Sequence, residues 1–250
     1  MAALVTGATA GIGHAFAVEL ARRGHDLVLV ARDEERLTRV AAQLRQDSRV
    51  AVDVLAADLV TAAGRAKVSQ VLRDEDRPVG LLVNNAGYAL RGAFGDNDIA
   101  DEEAVLDVLV RAPMQLCHAA LGAMSRRGSG AVVNVASVAG FMPRGTYGAH
   151  KAWLISFSRW AHVEYAAKGV KVMALCPGLV RTEFHARMAA RIDNIPGWMW
   201  LDADALVRDA LLDLDRGVAV SIPSVRYQVL AAAARHAPAG LVTRVAKLGR

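Results

Sequence analysis

Seven short apolar runs recur along the chain: "AALVT", "DLVLVA", "VAVDVLA", "VGLLVN", "GAVVNVAS", "VKVMALC" and "GVAVSIP". They are rich in valine and do not alternate with polar residues, which predicts parallel strands buried on both faces. The segments between them carry helical spacing. In "IGHAFAVELARRG" the apolar residues Ile12, Phe16 and Leu20 recur at helical intervals, and Gly24 stands where a C-cap belongs. "DEERLTRVAAQLRQD" opens with acids and gathers bases later, the order a helix dipole favours. The longest helical candidate runs from about Asp101 to Arg127, and Pro113 inside it predicts a kink or a local break.

Strands alternating with helices predict an α/β fold: a doubly wound parallel sheet of about seven strands with helices on both faces. A single domain over residues 1–250 is long enough to hold it, and no repeat, low-complexity stretch or linker divides the chain. Ala, Val, Leu and Gly are abundant and aromatics few, a balance that lets helices lie close on a buried sheet.

The net charge of +5 is concentrated at the end, since six basic residues and no acid follow from Arg216 onward. Without a recognition motif or a series of stacking aromatics, that tail does not predict a nucleic-acid partner. Cys117 and Cys176 stand far apart with no CxxC or Cys/His cluster, so neither a disulfide framework nor a metal site is expected. A reducing cytoplasmic location fits that cysteine usage. The first residues enter a strand without a basic leader, and no run of about 18 apolar residues occurs, so neither export nor membrane spanning is expected.

Three stretches carry candidate chemistry. "TGATAGIG" places Gly7, Gly11 and Gly13 on a strand-to-helix turn, either a plain tight turn or a seat for a diphosphate at a helix N-terminus. "TYGAHKAW" sets Tyr147 four residues before Lys151, on one helix face. A tyrosine titrates near pH ~10 unaided, and a neighbouring ammonium favours its phenolate; a packed tyrosine beside a solvated lysine is the other reading. In "VARDEERL" the strand ends on Ala31, not on an acid that would take the ribose hydroxyls of NAD. Arg32 follows and suits a 2′-phosphate, or else faces water while Asp33 caps the next helix.

Taken in order, "TGATAGIG", "AADL" at 56 to 59, "NNAG" at 84 to 87, Ser137 in "VVNVASVAGF", Tyr147 with Lys151, and "PG" at 177 to 178 closely resemble the short-chain dehydrogenase/reductase family. Only the tail beyond about residue 222 lies outside the likeness. The resemblance implies a Rossmann-like enzyme moving a hydride between a nicotinamide cofactor, NADP(H) in preference to NAD(H), and a small-molecule carbonyl or alcohol. It implies Tyr147 as acid/base, Lys151 as its electrostatic partner and ribose ligand, and Ser137 as donor to the substrate oxygen, with no metal. It further implies cofactor contacts at Gly7, Thr9, Gly11, Ile12, Gly13 and Arg32, at Asp58 and Leu59 beside the adenine, and at Asn85, Ala86 and Gly87 along the channel. Pro177, Gly178, Val180 and Thr182 complete the set, Thr182 at the carboxamide, while Asn84 ties strands together.

Two positions depart from that pattern. Nine residues separate Ser137 from Tyr147 where many family members have about a dozen, which implies a differently shaped or more open pocket. Leu109 stands where the family carries a helix asparagine that helps hold a relay water. Either the backbone carbonyl alone keeps that relay, or proton transfer is impaired and the chain is an NADP-binding regulatory or scaffold protein.

A substrate loop is expected over about 183–203. There Phe184, Met188, Ile195, Trp198, Met199 and Trp200 form an apolar wall hinged at Pro196 and Gly197, or else pack as ordinary short helices. The wall suits a bulky apolar carbonyl compound. The basic tail, about 224–250, is expected to pack on the protein surface or on another subunit of a homodimer or homotetramer, in preference to an anionic membrane.

Overall fold

The computed structural model describes residues 1–183 and 196–236. Seven strands form one sheet: β1 (Ala2–Thr6), β2 (Leu27–Ala31), β3 (Val52–Ala56), β4 (Val79–Asn84), β5 (Gly130–Val135), β6 (Val170–Leu175) and β7 (Val220–Ser221). Their spatial order is β3-β2-β1-β4-β5-β6-β7, and every neighbouring pair is parallel. The chain starts at the middle of the sheet, winds outward through β3, and returns to β4 on the other side of β1. That reversal opens a crevice above the carboxyl ends of β1 and β4, where α/β sheets of this kind take their ligands.

Helices α1 (Gly11–Arg22), α2 (Glu34–Asp47) and α7 (Ala203–Asp215) cover one face, and α3 (Ala62–Arg73), α5 (Ala112–Arg127) and α6 (Gly145–Ala166) cover the other. The absence of alternation in the strands follows from this double cover. On β1, Ala3 and Val5 enter one core and Leu4 the other; on β5, Val133 and Val132 divide in the same way. The short β7 is the one apolar run that yields only two paired residues.

Local signals also hold. Gly24 follows α1 at a φ of 82°, and the Asp33 carboxylate caps α2 by accepting the Arg36 N–H at 2.9 Å. Helix α4 (Ile99–Leu106) runs without a break into α5, and the irregularity sits just ahead of Pro113, as a π-helical turn over Asp107–Arg111. Proline has no N–H for the carbonyl four residues back, which is that of Leu109, and the widened turn absorbs the mismatch. The stretch Ile99–Arg127 is long and apolar enough to cross a bilayer, but more than half of its apolar window is buried inside the protein.

Helix α8 (Val225–His236) ends the described chain. Phe184, Met188 and Ile195 of the expected substrate loop, and the tail past His236, lie outside the described residues.

Candidate active site

Glycines in the first turn make room for protein as much as for a ligand. Gly7 and Gly11 hold positive φ values of 67° and 55°. A Cβ at Gly13 would lie 2.3 Å from both the Gly7 carbonyl oxygen and Asn85 Nδ2, and one at Gly11 would lie 2.9 Å from Thr182. Two glycines therefore seat Asn85, and the third seats Thr182. The start of α1 has no side-chain cap and no acid in its first turn, so its N–H groups and positive dipole end suit an anion. Beside it a cleft of about 420 Å³ is lined by Thr9, Ala10, Gly11, His14, Arg36 and Glu183, among others.

Thr6, which sequence reasoning passed over, joins β1 to β4. Its hydroxyl accepts the N–H groups of Asn85 at 2.9 Å and Ala86 at 3.0 Å, and donates to the Val83 carbonyl at 3.3 Å. Asn85 Nδ2 returns a hydrogen bond to the Thr6 carbonyl at 2.9 Å. Asn84 ties strands as expected: its Nδ2 donates to Asn134 Oδ1 at 2.9 Å and to Cys117 Sγ at 3.3 Å, and Asn134 Nδ2 donates to Ser158 Oγ at 2.9 Å. Burial pushes the Cys117 thiol up to about 12, so it stays a neutral packing group.

At the end of β2, Arg32 is exposed, and the Asp33 carboxylate is engaged as a cap. Arg36, a second base that sequence reasoning missed, pairs with Glu183 through Nη1 at 3.0 Å and through a second contact at Nη2. The pair spans from α2 to the entrance of the substrate loop. After β3, Asp58 Oδ1 accepts the Val60 N–H at 3.0 Å, and the Leu59 side chain is buried in the core. The Leu59 carbonyl is held at 2.9 Å by the buried Arg65 guanidinium.

Ser137 follows β5 and begins a 3-10 turn (Val138–Phe141), its Oγ accepting the Ala139 N–H at 3.1 Å. Its hydroxyl is also hydrogen-bonded to the Tyr147 phenol across the short connection. Lys151, one turn further along α6, is buried; its Nζ donates to the Val135 carbonyl at 2.7 Å and lies 5.7 Å from the centre of the Tyr147 ring. Gly87 closes this corner. A Cβ there would lie 2.8 Å from Leu109 Cδ2 and 3.9 Å from Lys151 Nζ, so Leu109 sits beside the lysine as counted from the sequence.

The proton balance differs from the sequence expectation. Burial drives the Tyr147 phenol up to about 12, against the smaller downward pulls of the Ser137 hydrogen bond and the Arg144 charge. Burial also drives Lys151 down to about 8, with Cys176 opposing. Near neutral pH the site presents a protonated phenol beside a lysinium.

On the far side, the Val138 N–H donates to the Pro177 carbonyl at 3.0 Å, tying the serine turn to the residues after β6. Gly178 lies under the ring of Tyr227, Val180 is buried and pairs with Leu201, and Thr182 lies over Gly11 in the first turn. Trp198, Met199 and Trp200 stand at the foot of the expected loop, with Trp198 61% exposed. The glycine turn thus meets Asn85 and Thr182, and Ser137, Tyr147, Lys151 and Gly87 gather beyond the ends of β4 and β5. Among the described residues no cluster of potential metal ligands occurs.

Known proteins match this arrangement. A family model for short chain dehydrogenases matches residues 1–193. An uncharacterized oxidoreductase of Staphylococcus epidermidis is 33% identical over 214 residues, 82% of this chain and 88% of that protein. The structure of a short-chain dehydrogenase from Sphingobium yanoikuyae in complex with NADPH has a TM-score of 0.86 and 38% identity, covering 97% of this chain and 95% of that one. A bulky-bulky ketone specific alcohol dehydrogenase from Comamonas testosteroni has a TM-score of 0.81 and 35% identity, covering 97% and 93%. With the crevice, the glycine turn and the Ser137, Tyr147 and Lys151 cluster in place, the chain belongs to the short-chain dehydrogenase/reductase family, as a nicotinamide-dependent oxidoreductase acting on a CH–OH or C=O group.

Proposed function

We propose that the protein is an NADPH-dependent reductase of apolar ketones or aldehydes, working also in reverse. The observation that carries this reading is the hydrogen bond between Ser137 and Tyr147, with the Lys151 ammonium beside the ring. The nicotinamide, when bound, supplies the hydride. The growing alkoxide then needs a proton, and Tyr147 holds one on its phenol at neutral pH. Ser137 donates to the same substrate oxygen, and Lys151 keeps positive charge beside the phenol while reaching the nicotinamide ribose.

Preference for NADP is supported by Ala31 at the end of β2, which offers no carboxylate to the ribose hydroxyls; an exposed Arg32 beside a capping Asp33 is also the arrangement of a water-facing arginine, and the comparison with NADH decides between the two. Gly7, Thr9, Gly11, Ile12 and Gly13 hold the diphosphate, Asp58 and Leu59 the adenine, and Asn85, Ala86 and Gly87 the channel. Pro177, Gly178, Val180 and Thr182 bound the nicotinamide end. An apolar substrate fits the tryptophans at the loop foot and the bulky ketones named for the Comamonas testosteroni relative. A homodimer or homotetramer in the cytoplasm completes the reading, with membrane contact of the tail a lesser alternative.

A second reading, cofactor binding without turnover, is favoured by Leu109 alone, because its side chain offers no hydrogen bond beside Lys151. Pro113 weighs against it: proline has no N–H for the Leu109 carbonyl, so that oxygen lacks its usual α-helical donor, as a carbonyl that serves a relay by itself would require. NADPH oxidation over a panel of apolar ketones and aldehydes, with NADH for comparison, separates the two. Turnover with NADPH supports the reductase, and tight NADPH binding without turnover on any of them supports the second reading.

A further inference from the structure

Helix α8 begins at Val225, beyond the residues that match the family model, yet it reaches three parts of the site. It packs on the 3-10 turn that follows Ser137. Its Tyr227, 4% exposed, lays its ring against Gly178, where a Cβ would come within 2.1 Å of the ring carbon Cζ. The Tyr227 hydroxyl accepts the Leu179 N–H at 3.1 Å and donates to the Met199 carbonyl at 2.8 Å.

Leu179 is held from its other side as well. Its carbonyl accepts the Leu201 N–H at 2.8 Å, and the Arg181 N–H donates to the Leu201 carbonyl at 3.2 Å, which makes a short parallel bridge between Val180 and Leu201. The chain that leaves β6 is therefore clasped to the chain that enters α7, and one phenol bolts both to α8. Neither piece belongs to a strand of the sheet; besides the bond from the Val138 N–H to the Pro177 carbonyl, the Tyr227 hydroxyl is what ties both to the neighbourhood of the serine turn. The buried hydroxyl meets both its donor and its acceptor capacity there, as a buried phenol requires.

We propose that Tyr227 is a positioning residue for hydride transfer: it fixes the turn Pro177–Gly178–Leu179, which receives the nicotinamide end of the cofactor, in register with the foot of the substrate loop. The proposal rests on the reading given above, that this turn faces the nicotinamide. Hydride transfer depends steeply on approach geometry, and a displacement of about 1 Å costs up to ~10²-fold in rate. The adenine end of the cofactor rests on β1, β2 and β3 and is independent of α8. Loss of the hydroxyl consequently acts on one end of the cofactor only.

The test uses the full chain and Tyr227→Phe, which keeps the ring over Gly178 and removes only the hydroxyl. Calorimetry compares NADPH with 2′-phospho-ADP-ribose, which carries the adenine, the 2′-phosphate and the diphosphate but no nicotinamide. The expected result is an NADPH Kd about tenfold higher with the fragment's Kd within about twofold, and a kcat about tenfold lower on a ketone that the wild type reduces. Equal weakening of both probes, or no change in either probe or in kcat, overturns the proposal. A wild-type protein that gains nothing from the nicotinamide, binding NADPH no better than the fragment, defeats the reading of the site itself. That failure shows before any variant is made, and the proposal falls with it.

Discussion

The two ends of the crevice are built by different means. On the side of the glycine turn, positions are fixed by strand termini: Thr6 and Asn85 lock β1 to β4 through hydrogen bonds of 2.9 to 3.0 Å, and Gly13 has no room for a Cβ beside them. On the side of the chain that leaves β6, Leu179 and Met199 hang on the hydroxyl of one tyrosine 48 residues beyond the first of them. One end inherits its precision from the sheet, and the other depends on a few contacts between irregular segments. Substitutions at the first are expected to damage the fold, and those at the second to damage turnover in a fold that stands.

The sharpest test of the chemical end is Tyr147→Phe. It is expected to lower kcat by about 10³-fold while NADPH binding stays within about twofold, as loss of an acid/base group requires. Undiminished turnover would remove the tyrosine from its role. Next comes the rigid end: Gly13→Ala sets a Cβ 2.3 Å from the Gly7 carbonyl and is expected to cost about 1–3 kcal/mol in denaturant unfolding. A Gly13→Ala protein as stable as the wild type would show that this end yields more readily than its contacts imply.

Titration probes the corner between the two ends. With Lys151 near 8 in the folded protein and 10.5 ordinarily, the unfolded chain holds a proton over that interval that the folded one has released. Its contribution to stability therefore rises as pH climbs from 8 toward 10.5, and the penalty is fully present below 8. Tyr147 runs the other way: raised to about 12, it contributes fully below 10 and loses that contribution toward 12. The unfolding free energy of the wild type relative to Lys151→Met is expected to grow between about pH 7.5 and 9.5. A flat difference would mean that the ammonium is better hydrated than its burial implies.

Smaller effects refine the contrast. Arg32→Ala is expected to weaken NADPH about tenfold, or ~1.4 kcal/mol, and leave NADH nearly unchanged; an unaltered ratio would place 2′-phosphate recognition elsewhere, with Arg36 the first alternative. Gly197→Ala, at the irregular end, adds a Cβ with nothing within 4 Å and is expected to shift stability by less than about 0.5 kcal/mol.

What the sequence disclosed follows the same division. The strands, the glycine turn, the Asp33 cap and the Tyr147 and Lys151 spacing rest on local periodicity or on residues a few positions apart, and the structure sets each where the pattern placed it. Pro113 announced an irregularity but not its form, because a missing N–H can be absorbed by a kink, a break or a widened turn. Tyr227 and the Arg36 and Glu183 pair were illegible, since partners 48 and 147 residues apart leave no periodic trace. The directions in which burial pushes Tyr147 and Lys151 were not legible for a related reason: spacing shows adjacency, whereas burial is a property of the assembled core.

One bond fixes the frame in which the chemistry is measured. Lys151 hooks onto the carbonyl of Val135, two residues before Ser137 on the same chain segment. Helix and strand thus share a datum. Because Lys151 is anchored on β5, the phenol one turn earlier on α6 is held against the strand that leads into Ser137.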